Sequence, residues 1–138
     1  MDTGSSVLVC VTPQESSKKL VEAGRKIAEN SYAELEVITV LPPDFNTKSN
    51  NPVIIDSLHR WAKDNCGKMA VYYSDEPIMT IAAHIGKTKP ESIVVGFPGE
   101  NSNDFISIIR MLFPLLPISM IDGEKIYNLL PFEAMPKR

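Results

Sequence analysis

The strongest constraint in this chain is a rhythm. Short runs of β-branched and apolar residues alternate with stretches whose apolar residues recur every three or four positions. Val7 to Thr12 (VLVCVT) and Ser92 to Gly96 (SIVVG) are near-continuous apolar runs. Such runs mark strands buried on both faces, the situation of a parallel sheet covered by helices. Glu36 to Leu41 (EVITVL), Lys68 to Tyr73 (KMAVYY) and Ile118 to Ile121 (ISMI) complete the set. Between them, Gln14 to Asn30 places Leu20, Gly24, Ile27 and Ala28 on one helical side, with Glu15/Lys19, Lys18/Glu22 and Glu22/Lys26 spaced for ion pairing on the solvated face. Val53 to Asn65 carries Ile54, Leu58, Trp61 and Ala62 at helical spacing. Pro77 stands at the first position of a third helix, whose stripe of Ile78, Ile81, Ala82 and Ile85 is closed by Gly86. Phe105, Ile108, Ile109 and Leu112 describe a fourth, ended by Pro114. Strand and helix therefore alternate without a hairpin signal. The expectation is one α/β domain over residues 1–138, an open parallel five-stranded sheet with helices on both faces. Its core spans 7–121, and the tail, 122–138, has no assigned place in the sheet.

Composition excludes several classes of function. The chain has 138 residues, long enough to hold a core without disulfides or a structural metal. Its 14 Lys+Arg against 17 Asp+Glu give a net charge of −3, with no basic stripe for a phosphate backbone, so nucleic acid is not an expected partner. The longest apolar stretch, Met111 to Ile121, is interrupted by Pro114 and Pro117 and falls far short of the ~20 residues that span a bilayer. The run Val7 to Val11 is too short for the ~7–15 residues of a signal-peptide core, and acidic Asp2 stands where a signal would be basic. Cys10 and Cys66 lie in no CxxC or mixed His/Cys spacing and read as reduced thiols of a cytoplasmic protein.

In an open parallel sheet, ligands collect beyond the carboxyl ends of the strands where the strand order reverses. The loop after the first strand offers Thr12, Gln14, Glu15, Ser16 and Ser17. Hydroxyls and an amide there suit an anion or a polar ring, or else Thr12 or Ser16 caps the helix. The end of the second strand contributes Val40. The loop after the fourth strand carries Gly96 and Gly99, which permit close backbone approach, followed by Asn101 and Ser102. Asn103 or Asp104 stands where it either touches a ligand or caps the next helix. No GxSxG elbow, Walker A sequence or HExxH spacing is present. His59 and His84 fall in helical patterns and read as surface or hydrogen-bonded core residues, and Trp61 reads as core or lid. Neither a catalytic group nor a metal site is expected.

The segments VLVCVT before a charged helix, and SIVVGFPG before a helix followed by PxxPISMI, resemble the universal stress protein family over residues 7–121. VCVTPQESSKKLVEAGRKIAE is similar, more specifically, to the stress-protein-like module of Kdp-type potassium-sensing histidine kinases. The resemblance implies the strand order 3-2-1-4-5 and a regulatory or sensory role. It also implies a homodimer pairing along Ile118, Ser119, Met120 and Ile121, and a signalling-protein partner. ATP-binding members carry an acidic residue at the first strand and a loop of form G-x-x-G-x(9)-G-[ST] after the fourth. Gly96 and Gly99 match the first pair. The later glycine position falls at Ile109 with Arg110 after it, or at Asp104-Phe105 if the loop is shortened, and Thr12 replaces the acidic residue. A carboxylate at a helix N-terminus competes for the donors a phosphate would use and repels it. The resemblance thus implies a degenerate ATP site, with an adenine nucleotide or a cyclic dinucleotide as ligand and Thr12, Gln14, Val40, Gly96, Gly99, Asn101 and Ser102 around it. The alternatives are a ligand-free dimerising interaction module and an ATP-binding stress protein.

Overall fold

The computed structural model describes residues 5–47, 51–97 and 104–129. Its strands are β1 (Ser6–Cys10), β2 (Glu34–Leu41), β3 (Lys68–Tyr73), β4 (Ser92–Gly96), β5 (Ile118–Asp122) and β6 (Lys125–Leu129). The helices are α1 (Ser17–Asn30), α2 (Asn51–Asp64), α3 (Pro77–Thr88) and α4 (Asp104–Leu112), with a short 3-10 turn at Phe45–Thr47. One sheet has the order β3-β2-β1-β4-β5-β6. Every pairing is parallel except β5 with β6.

The period-two alternation of the strands divides the core. Val7 and Val9 of β1, with Val37 and Val94, pack under Leu20, Val21 and Ala28 of α1 and under Leu58, Trp61 and Ala62 of α2. Leu8, Ile38, Ile93 and Val95 point the other way, against Ile81, Ala82 and Ile85 of α3 and Ile106 and Ile109 of α4. This is what near-continuous apolar strands require, since both faces are covered. Trp61 is therefore core rather than lid.

Three expectations need correction. The sheet has six strands rather than five, and part of the tail belongs to it. Asp122 pairs with Lys125 across Gly123 and Glu124, and Gly123 has φ +63°, a backbone position open to glycine, so the chain reverses into β6. Gly123 at the first position of the two-residue loop Gly123-Glu124 is the hairpin signal that an all-parallel reading passes over. Residues 130–138 lie outside the described residues.

The second correction follows from the first. β5 pairs with β4 on one side and β6 on the other, so Ile118 to Ile121 has no free edge for a second copy. Third, α1 begins at Ser17 rather than Gln14. The Gln14 N–H donates to the Thr12 carbonyl (2.8 Å) and the Ser17 N–H to the Gln14 carbonyl (3.1 Å), so residues 13–16 form a tight turn rather than helix. Likewise α3 continues through Gly86 to Thr88.

Candidate functional site

The strand order reverses between β1 and β4, whose outward crossovers run in opposite directions along the sheet. Their carboxyl ends separate there and leave a cleft of about 510 Å³. Hydrogen bonds fix the strand ends beside it. Val11 N–H donates to the Ile38 carbonyl at 3.0 Å and the buried Thr39 hydroxyl to the Val11 carbonyl at 2.9 Å, holding the end of β1 to β2. Phe97 N–H donates to the Ile121 carbonyl at 2.9 Å, holding the end of β4 to β5.

Thr12, Gln14 and Gly96 of the sequence-derived set all line this cleft. Val40 does not: it packs into the core under α3, because its side chain falls on the α3 face of β2. Gly99, Asn101 and Ser102 lie outside the described residues. Ser16 precedes α1 without a side-chain capping bond. Instead the buried Ser17 hydroxyl donates to the Thr12 carbonyl at 2.6 Å, which also accepts the Gln14 N–H. The Gln14 side-chain amide donates to the Thr12 hydroxyl oxygen at 2.6 Å. That leaves the second amide hydrogen and the carbonyl oxygen of Gln14, together with the Thr12 hydroxyl hydrogen, for a ligand.

Sequence reasoning missed the rest of the wall. Leu20, Ile81, Val95, Phe105 and Ile121 give it an apolar lining, and Lys19 supplies a cation at the mouth. In the sequence pattern Lys19 is half of a solvated pair with Glu15. Its place two residues into α1, directly after the turn that shapes the cleft, was the available signal. Gly123 brings the β5–β6 turn into the lining, and Phe97 stacks at a tilt on Tyr127 of β6, ring centroids 5.4 Å apart. Cys10 also lines the cleft. The protein around it desolvates the sulfur and pushes the thiol pKa up to about 12, so it is a neutral, weakly polar part of the wall. Asp104 is exposed in the first turn of α4.

Of the two histidines, His59 is exposed on α2, whereas His84 is on the buried side of α3 and bonded on both ring nitrogens. Among the described residues no group of three His, Cys, Asp or Glu side chains could hold a metal ion. No helix there is long and apolar enough to cross a membrane.

The cleft thus offers an apolar wall, a donor–acceptor edge at Thr12 and Gln14, and a cation beside it. A doubly wound α/β fold with its cleft at the strand reversal is the class these features define. Within that class the chain has the universal stress protein fold. It superposes on a universal stress protein crystallised in complex with cAMP, with a TM-score of 0.66 and 16% identity over 87% of this chain and 98% of that one. The universal stress protein from Archaeoglobus fulgidus in complex with dAMP gives 0.62 and 15%, covering 85% and 97%. UspA from Lactobacillus plantarum gives 0.62 and 18%, covering 88% and 99%. No protein-family model and no curated sequence matches the chain.

Proposed function

We propose that this chain is a non-catalytic, universal-stress-protein-like regulatory domain that binds a small adenine nucleotide, a monophosphate or cyclic nucleotide in preference to ATP, and passes its occupancy to a signalling partner. The observation that carries this reading is the open cleft at the strand reversal, with Thr12 and Gln14 on its polar edge and Lys19 at its mouth. Two proteins of the same fold bind cAMP and dAMP, ligands of this size and chemistry. Asp104 opens α4, where the terminal phosphates of a longer chain would need N–H donors, and its negative charge disfavours them. A cyclic dinucleotide belongs to the same proposal through the likeness of the first βα segment to the Kdp-type module. Isothermal titration with AMP, cyclic AMP, cyclic di-AMP and Mg-ATP tests it. Binding of at least one of the first three, with Mg-ATP weaker, is the expected result. Tight Mg-ATP binding, or no heat from any of the four, overturns it.

A second reading, a ligand-free dimerising module, is favoured by one observation. Among the described residues β6 has no strand on its outer edge, and Ile126 and Tyr127 on it are 52% and 41% exposed. An unpaired edge strand with apolar side chains is a template for another strand. Two copies meeting through β6 would extend the sheet. Light scattering decides: a dimer that Ile126→Lys dissolves supports this reading, and a monomer at high concentration removes it.

A further inference from the structure

Away from the cleft, a hydrogen-bonded chain of three side chains crosses from the sheet to α3. Glu36 of β2, His84 of α3 and Tyr72 of β3 are distant in sequence, and the fold brings them into line. His84 Nε2 lies 2.9 Å from a Glu36 carboxylate oxygen, and His84 Nδ1 lies 2.8 Å from the Tyr72 hydroxyl. His84 is 6% exposed. A carboxylate oxygen only accepts, so Nε2 carries a proton; in the tautomer with Nδ1 bare, the phenol donates to Nδ1. Each member has one role, and the order carboxylate, imidazole, hydroxyl is that of a nucleophile coupled to a base and an orienting acid. The hydroxyl end is not sealed in. Tyr72 is half-buried and, with His84, lines a separate cavity of about 330 Å³ along α3, beside Met79, Thr80 and Lys87.

We infer that Tyr72 is an activated nucleophile, and that this cavity is a modification site at which the Tyr72 hydroxyl takes an acyl group from an activated acyl donor. The phenol oxygen attacks the carbonyl carbon as its proton passes to His84 Nδ1. The resulting imidazolium is held by Glu36. The new C–O bond forms, the bond from carbonyl carbon to leaving group breaks, and the departing group takes the proton from His84. Acyl-tyrosine and the protonated leaving group are the products, and no redox partner is needed. Nothing in the step involves the cleft at the strand reversal, so the inference stands or falls apart from the nucleotide reading.

The unaltered protein supplies the first test. Tyr32 is 95% exposed, Tyr73 45% and Tyr127 41%, so accessibility alone predicts that N-acetylimidazole acetylates Tyr32 first. Base assistance reverses that order. Mass spectrometry after brief treatment is expected to find Tyr72 acetylated about tenfold faster than Tyr32, because the partial burial of Tyr72 offsets part of the ~10²–10⁴-fold that a positioned base contributes. Glu36→Gln keeps an acceptor for Nε2 and removes the charge. With melting and circular dichroism unchanged, it should bring the Tyr72 rate down to that of Tyr73. Acetylation that follows exposure in the unaltered protein overturns the inference, and so does a Tyr72 rate that Glu36→Gln leaves untouched.

Discussion

At Gly24 the packing leaves no room for a single methyl group. A Cβ there would run into Val9 Cγ2 and touch Leu35 Cδ1 at 3.4 Å, because α1 lies directly on β1 and β2. Gly24→Ala is ordinarily favourable in a helix, by about 1 kcal/mol. Here overpacking opposes it, at about 1–3 kcal/mol, and the net effect is expected to be a loss of stability in urea unfolding. Helical spacing placed Gly24 on the buried side but said nothing of how closely the strand approaches. Cys10 makes a second prediction. Its thiol pKa rises from an ordinary 9.0 to about 12 on folding because the protein strips its water. Below pH 9 both states hold the proton and the contribution is constant. Between pH 9 and 12 the unfolded chain loses the proton while the folded one keeps it, so stability falls as pH rises. Chemical denaturation across that window should show a slope that Cys10→Ala reduces, and an equal slope in the two proteins would refute the assignment.

Helix ends show what pattern reading loses. α1, α2 and α3 are followed by Tyr32, Cys66 and Lys89, with φ of +57°, +62° and +52°. None is glycine, the residue that announces such a stop. The hydrogen bonds explain the geometry. Ala33 N–H donates to the Ala28 carbonyl (2.9 Å), Gly67 N–H to the Ala62 carbonyl (2.8 Å), and Lys89 N–H to the Ile85 carbonyl (2.8 Å). Each closes a last helical turn, and for the first two the following residue must double back. A bulky side chain in this conformation costs about 1–2 kcal/mol. Tyr32 buries almost nothing in return, being 95% exposed. Tyr32→Gly should therefore stabilise the protein by about 0.5–1 kcal/mol, after the added freedom of the unfolded chain is subtracted, and raise the melting temperature by a few degrees. A fall in melting temperature would mean the tyrosine makes contacts the fold depends on. The same elements show where sequence sufficed: β3 and β4 were legible to the residue because turn signals bound them on both sides. α1 was read three residues too early because the amphipathic pattern runs on through a turn held by Thr12 and Gln14.

Across the whole molecule, the parallel part of the architecture was legible because each buried strand had to be apolar on both faces, and that demand is written in composition. The antiparallel addition was not. β6 is exposed along most of its length, so its sequence is not bound to the core pattern and only Gly123 betrays the reversal. The same distinction applies to the cleft. Thr12, Gln14 and Gly96 follow from topology, since they stand where the sheet divides, whereas Lys19, Phe105 and Gly123 enter it from elements that converge only in three dimensions. A ligand seated there touches α1, β1, β4, α4 and the β5–β6 turn at once, so binding should stabilise the fold as a unit. At a concentration a hundredfold above its dissociation constant, a ligand adds about 2.7 kcal/mol, enough to raise the melting temperature by roughly 5–10 °C in a chain of this size. Lys19 separates the two halves of the ligand in this measurement. Lys19→Glu should abolish most of the shift given by AMP, because the charge at the mouth is reversed, while leaving the shift given by adenosine, which lacks the phosphate and rests on Thr12, Gln14 and the apolar wall. Equal losses for both ligands would place Lys19 in the packing of the cleft rather than at the phosphate. Equal retention would place the phosphate away from the mouth and return Lys19 to the solvated face.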